Sequence, residues 1–160
     1  MSGSGYQMGD DVAVTLLETA DIGGTNAATG WVSMAGYERM LGYVEIGTWN
    51  ATDDLDECRI QQATDGDGTN AKDLTTDASA GNYDTDNPVD ADGDFVILQA
   101  KVSDMDVAGG FTHVRIYVAE GGNTGVDNVT AFLVRYGAKD KHAEQNGAAV
   151  TGSKVYVDPV

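Results

Sequence analysis

One cysteine, two prolines, two histidines and nine lysines plus arginines are all that these 160 residues hold of those types. Each scarcity excludes something. A single thiol, Cys58, forms neither an intramolecular disulfide nor a cysteine-based zinc site, so the fold must stand on its hydrophobic core. Nine cations against 26 carboxylates leave a net charge of −17. That balance repels a phosphate backbone, and no Lys/Arg cluster is dense enough to reverse it locally, so nucleic acid is not an expected partner. The longest unbroken apolar stretches, Phe95 to Leu98 and Ala131 to Val134, fall far short of the ~18–20 residues of a membrane helix, so no membrane is expected either. The opening MSGSGYQMGDD has no basic residue and no apolar run of ~7–15 residues, which gives the expectation of a protein made in the cytoplasm without an export signal.

What is present is glycine, 21 residues of it, and short apolar runs with a period of two. Glycine in that number supplies turns and positive-φ positions, and it weakens helices. Val12, Val14 and Leu16 alternate with Ala13, Thr15 and Leu17 in a first strand. DIGGTNAATG reads as a loop, with a second strand over Trp31 to Met34. In YERMLGYVEIGTW, Met40, Val44 and Ile46 share the inward face, and in LDECRIQQAT Cys58 and Ile60 do; the two runs read as a hairpin pair. DFVILQAKV, FTHVRIYVAE and NVTAFLVRYG supply three more strands. Their expected inward residues are Val96, Leu98, Ala100 and Val102, then Val114, Ile116 and Val118, then Phe132, Val134 and Tyr136.

These runs, with no helical periodicity between them, predict an all-β, antiparallel β-sandwich of seven or eight strands. A jelly roll is the preferred form, although an immunoglobulin-like sandwich fits the same pattern. The domain spans 11–138, between a flexible N-terminal arm over 1–10 and a polar C-terminal segment over 139–160 with a terminal strand in KVYVDPV. From Asp65 to Gly93 the chain is mostly Asp, Gly, Asn and Thr, a long acidic loop with room for a helical turn near Ala71 to Thr75.

Chemistry is hard to place on this framework. GDGTNA, Gly66 to Ala71, fits the G-x-G-x-x-A spacing of a dinucleotide loop, but it opens no amphipathic helix and sets Asp67 where an anion would lie, so it reads as a turn. Asp90, Asp92 and Asp94 in DADGD have the two-residue spacing of calcium ligands and are the candidate metal site; the ligand set and flanking helices of an EF-hand are missing, and turn chemistry accounts for the same residues. Cys58 with His113 or His142, and Ser33 or Ser103 with either histidine, are the only nucleophile options, and none has a local signature. Cys58 reads as a small buried hydrophobe, and His113 falls on an outward face. Glu38, Glu45, Glu57 and Glu120 form no nominated acid/base pair. Trp31 and Trp49 could stack on a sugar, or pack in the core. The residues therefore point to a non-enzymatic protein with no catalytic site and no cofactor, with a calcium- or carbohydrate-binding module as the alternative.

The stretch from about Trp31 to Asp140, above all QQATDGDGTNAKDL, MDVAGGFTHVRIYV and YGAKDKH, resembles small virion structural proteins encoded beside the major capsid protein of tailed bacteriophages. The resemblance implies a decoration or cement protein on the capsid's outer surface, with the major capsid protein and further copies of itself as partners. The acidic charge agrees with an outer location, because packaged DNA would repel it.

Overall fold

The computed structural model describes residues 12–50, 55–74, 91–120 and 125–137. Nine strands run through them: β1 (Ala13–Asp21), β2 (Asn26–Ala28), β3 (Val32–Ser33), β4 (Arg39–Ile46), β5 (Leu55–Ala63), β6 (Lys72–Asp73), β7 (Phe95–Lys101), β8 (His113–Glu120) and β9 (Asn128–Tyr136). All pairings are antiparallel. One sheet has the order β1-β9-β4-β7, and the other β2-β8-β5-β6 with β3 also paired to β8. Since β2 and β3 are two pieces lying along the same strand, the sandwich amounts to eight strands in two four-stranded sheets. Its strand order is that of a jelly roll.

The alternation of the sequence sets the core. Met40, Val44 and Ile46 from β4, Val96 and Leu98 from β7, and Ala131 and Leu133 from β9 face Cys58 and Ile60 from β5 and Val114, Ile116 and Val118 from β8, all buried. Gly42 stands in the middle of β4, and a Cβ placed there would lie 3.0 Å from Ile116 Cδ1 on the opposite sheet. The missing side chain lets the two sheets approach at that point.

Several expectations are corrected. The β4 and β5 runs are not a hairpin: β4 pairs with β7 and β9, and β5 with β6 and β8, because jelly-roll connections cross between sheets. The DIGGTNAATG loop holds β2, and the region near Ala71 forms β6 rather than a helical turn. Val102 does not continue β7; it opens a 3-10 turn over Val102–Asp104. The largest correction is on β9, where Val129, Ala131, Leu133 and Arg135 are buried in place of Phe132, Val134 and Tyr136. The outer face carries Asn128 and Thr130 beside Phe132, Val134 and Tyr136, and the inner face carries Arg135, so each alternation mixes polar with apolar residues and does not by itself choose between them. Arg135 is accommodated inside: its guanidinium lies 4.9 Å from the Tyr37 ring centroid, and Nη1 donates to the Ser33 carbonyl at 2.5 Å. Burial lowers its pKa from the usual arginine value, with Tyr37 acting the other way. The expected arm over 1–10, the segment over 139–160 and most of the acidic loop lie outside the described residues.

Candidate interaction surface

The two outer faces of the sandwich differ in kind. On the β2-β8-β5-β6 sheet, polar side chains answer one another across the strands. Arg115 Nε and Nη2 both donate to Gln61 Oε1, at 2.9 and 2.8 Å, and its guanidinium lies 4.5 Å from the Trp31 ring centroid. Arg59 pairs with Glu57 at 2.7 Å and Asp73 at 2.5 Å. Partial burial lowers the pKa of Arg115, again with a tyrosine, Tyr117, opposing the shift.

On the four-stranded sheet the outer face is apolar. Directly opposed residues on adjacent strands share a face, so the register defines rows across the sheet. One row is Val14, Val134, Leu41 and Gln99; the next is Leu16, Phe132, Tyr43 and Ile97. A third places Thr130, Glu45 and Phe95 side by side, and at the opposite end Tyr136, Arg39 and Lys101 make a fourth. Tyr43 stacks on Phe95 with centroids 5.5 Å apart and meets Phe132 at 6.1 Å. Val14, Leu16, Phe95 and Ile97 remain 45%, 48%, 54% and 51% exposed. With strands ~4.8 Å apart and same-face residues ~6.8 Å apart, the two apolar rows cover roughly 260 Å², and about 390 Å² together with the row that holds Phe95. A contiguous apolar patch of a few hundred Å² on a soluble chain marks a contact surface.

The residues singled out in the sequence fall elsewhere and do not converge. Cys58 is buried, and desolvation pushes its thiol up to about 12, opposed by the charge of Arg59. His113 is on the outer side of β8, opposite Ala63, with Nδ1 2.9 Å from Thr112 Oγ1. Ser33 Oγ accepts from the Ala35 amide, and Ser103 Oγ donates to Asp104. His142 and Asp90 lie outside the described residues. Asp92 Oδ1 accepts from the Trp49 amide at 2.8 Å, and among the described residues no group of three or more His, Cys, Asp or Glu side chains is arranged to hold a metal ion. Gly66 to Ala71 is a turn organised by Asp65, whose Oδ1 accepts from the amides of Asp67 and Thr69. Those bonds, with the Thr69 side chain first among them, lower the Asp65 pKa. The turn leads into β6, where no helix N-terminus is available for a phosphate. Trp49 is buried, and Trp31 has its ring face against Arg115. Of the four glutamates, Glu45 is on the apolar sheet, Glu57 on the other, and buried Glu120 accepts from the Gly24 amide.

Comparison with known protein families, with curated proteins and with solved structures finds no match to this chain.

The apolar face was missed in the sequence, although a signal for it exists. In β1, β7 and β9 apolar residues occupy both alternations, as in VAVTLL, FVIL and AFLV. An antiparallel sheet with one face in solvent shows polar residues on that side.

Proposed function

We propose that this chain is a structural protein of a tailed-bacteriophage particle, decorating or cementing the outer surface of the capsid through protein-protein contacts and catalysing nothing. The observation behind this reading is the apolar outer face of the β1-β9-β4-β7 sheet, bearing Leu16, Phe132, Tyr43 and Ile97 in one row and left open by the described residues. Such a surface works by being buried. The jelly roll alone does not select this function, since capsid, lectin and cupin domains all use it. The net charge of −17 supports an outward position, where packaged DNA is not a neighbour. The sequence resemblance supports the virion location. A small protein gains firm attachment by presenting several such contacts from one oligomer, because repeated weak contacts add through avidity.

The test is quantitative mass spectrometry of purified heads, followed by removal of the protein. Copies in fixed ratio to the major capsid protein, and heads that rupture more readily without them, are the expected result. Absence of the chain from purified particles refutes the proposal.

A further inference from the structure

The occupant of the apolar sheet face can be named from its geometry. We infer that it is a second copy of this chain, packed face to face about a two-fold axis that crosses the strands, so that β4 of one copy runs antiparallel over β4 of its partner. The inference rests on reading that face as a protein contact surface. It does not depend on where in a particle the protein sits.

Two observations lead to this arrangement. The first is charge. Two chains of net charge −17 repel each other, and they can meet only on a surface that is not itself acidic. The four rows of this face include Arg39 and Lys101 at one end and Glu45 at the other. A two-fold axis parallel to the strands would lay the basic end on the basic end. One perpendicular to them lays the basic end of each copy over the acidic end of the other.

The second observation is register. Thr15, Leu133, Gly42 and Leu98 form a single cross-strand row pointing inward, and they mark the midline of the outer face. Turning the sheet over about that midline brings Leu41 over Tyr43 of the second copy and Arg39 over its Glu45. On β9 it brings Val134 over Phe132. Apolar rows thus cover apolar rows, the Arg39–Glu45 contact is made twice, and Lys101 lies over Phe95 of the other copy. Aligned sheets pack ~10 Å apart and rotate by ~30°, a rotation that displaces the inner strands β4 and β9 least. Four rows on four strands cover about 520 Å² per copy, or about 1,000–1,100 Å² in total, at the roughly 1,000 Å² that a specific protein interface needs to clear.

The experiment is analytical ultracentrifugation of the full chain across a concentration series, with thermal melts to verify folding of each variant. The expected result is a dimer. Leu16→Lys and Ile97→Lys alter exposed side chains, so they leave the monomer folded and weaken association by about 100-fold or more, as unpaired charges enter a desolvated contact. Arg39→Glu and Glu45→Arg each weaken it by roughly ten-fold, and the two together in one chain restore it. A chain that stays monomeric at about 100 µM, where association free energies stronger than about −5.5 kcal/mol would show, overturns the inference. So does a dimer indifferent to Leu16→Lys and Ile97→Lys, and so does a double charge swap that fails to restore association. Each of these results leaves the virion assignment to be decided by purified heads, just as absence from heads would leave the dimer untouched.

Discussion

Gly42→Ala tests how closely the two sheets approach. The new methyl would lie 3.0 Å from Ile116 Cδ1, 3.3 Å from Ile116 Cγ1 and 3.3 Å from Leu98 Cβ. Carbon atoms at rest stand ~3.5–4.0 Å apart, so either Ile116 shifts or the sheets separate locally. Overpacking of one methyl costs about 1–3 kcal/mol, and the smaller conformational freedom of alanine in the unfolded chain returns about 0.4–1 kcal/mol. The net expectation is a loss of about 1 kcal/mol, or about 2–4 °C in Tm for a chain of this size. Ile116→Val deletes the Cδ1 that is struck first, and alone it costs about 0.5–1.5 kcal/mol for the space left behind. In the double variant the alanine methyl occupies that space. The pair should therefore be more stable than the sum of the single losses by about 1 kcal/mol, as read from urea denaturation in a double-mutant cycle. Additive losses, or a Gly42→Ala variant as stable as the parent, would refute the packing of β4 against β8.

Three further outcomes follow from the same structure. Cys58 should resist alkylation at pH 8 in the folded protein and react at once in denaturant, since its thiol is buried and its pKa raised to about 12. Because the folded pKa exceeds the unfolded value of 9.0, the associated stability is intact below pH 9 and is lost as pH climbs toward 12; Cys58→Ala should flatten that part of a stability-pH profile. Gly68→Ala puts a Cβ into Trp31 Nε1 at a backbone φ of +83° and should cost about 2 kcal/mol or more by thermal melt, with a shift in tryptophan emission. Gln62→Leu strips partners from the Asp106 amide and the Leu74 carbonyl, which the buried Gln62 side chain now holds at 2.9 and 3.2 Å; a loss of about 2–4 kcal/mol is expected, with faster hydrogen exchange at Asp106.

On β4, β5 and β8 a charged or polar residue on the outer face told the inside from the outside. Met40, Val44 and Ile46 on β4, Cys58 and Ile60 on β5, and Val114, Ile116 and Val118 on β8 are all buried as their alternation predicts. Connectivity was less legible. A hairpin and a sheet-crossing connection both join two strands by a few polar residues, and the path from Gly47 to Asp54 has no turn signature that decides between them. Strands as short as β2, β3 and β6 exist because β5 and β8 offer open edges, and a two-residue strand leaves no periodicity to detect.

The error on β9 has a different origin, and it bears directly on function. Phe132, Val134 and Tyr136 looked inward because apolar side chains were assumed to have one destination. Leu133 and Ala131, across the strand, needed the same one. Arg135 would ordinarily have settled the choice, since an arginine is expected outside. Here Tyr37 and the Ser33 carbonyl take it into the interior, while Phe132 is left on the surface between Leu16 and Tyr43. Burying a guanidinium while leaving a phenyl ring half-buried is unfavourable for a monomer on both counts. In the proposed dimer the arrangement becomes favourable, because Phe132 gains a second apolar neighbour layer that Arg135 in its place could not use. The strand that defeated periodicity is thus the one whose inner face belongs to the core of the chain and whose outer face belongs to the proposed interface between copies.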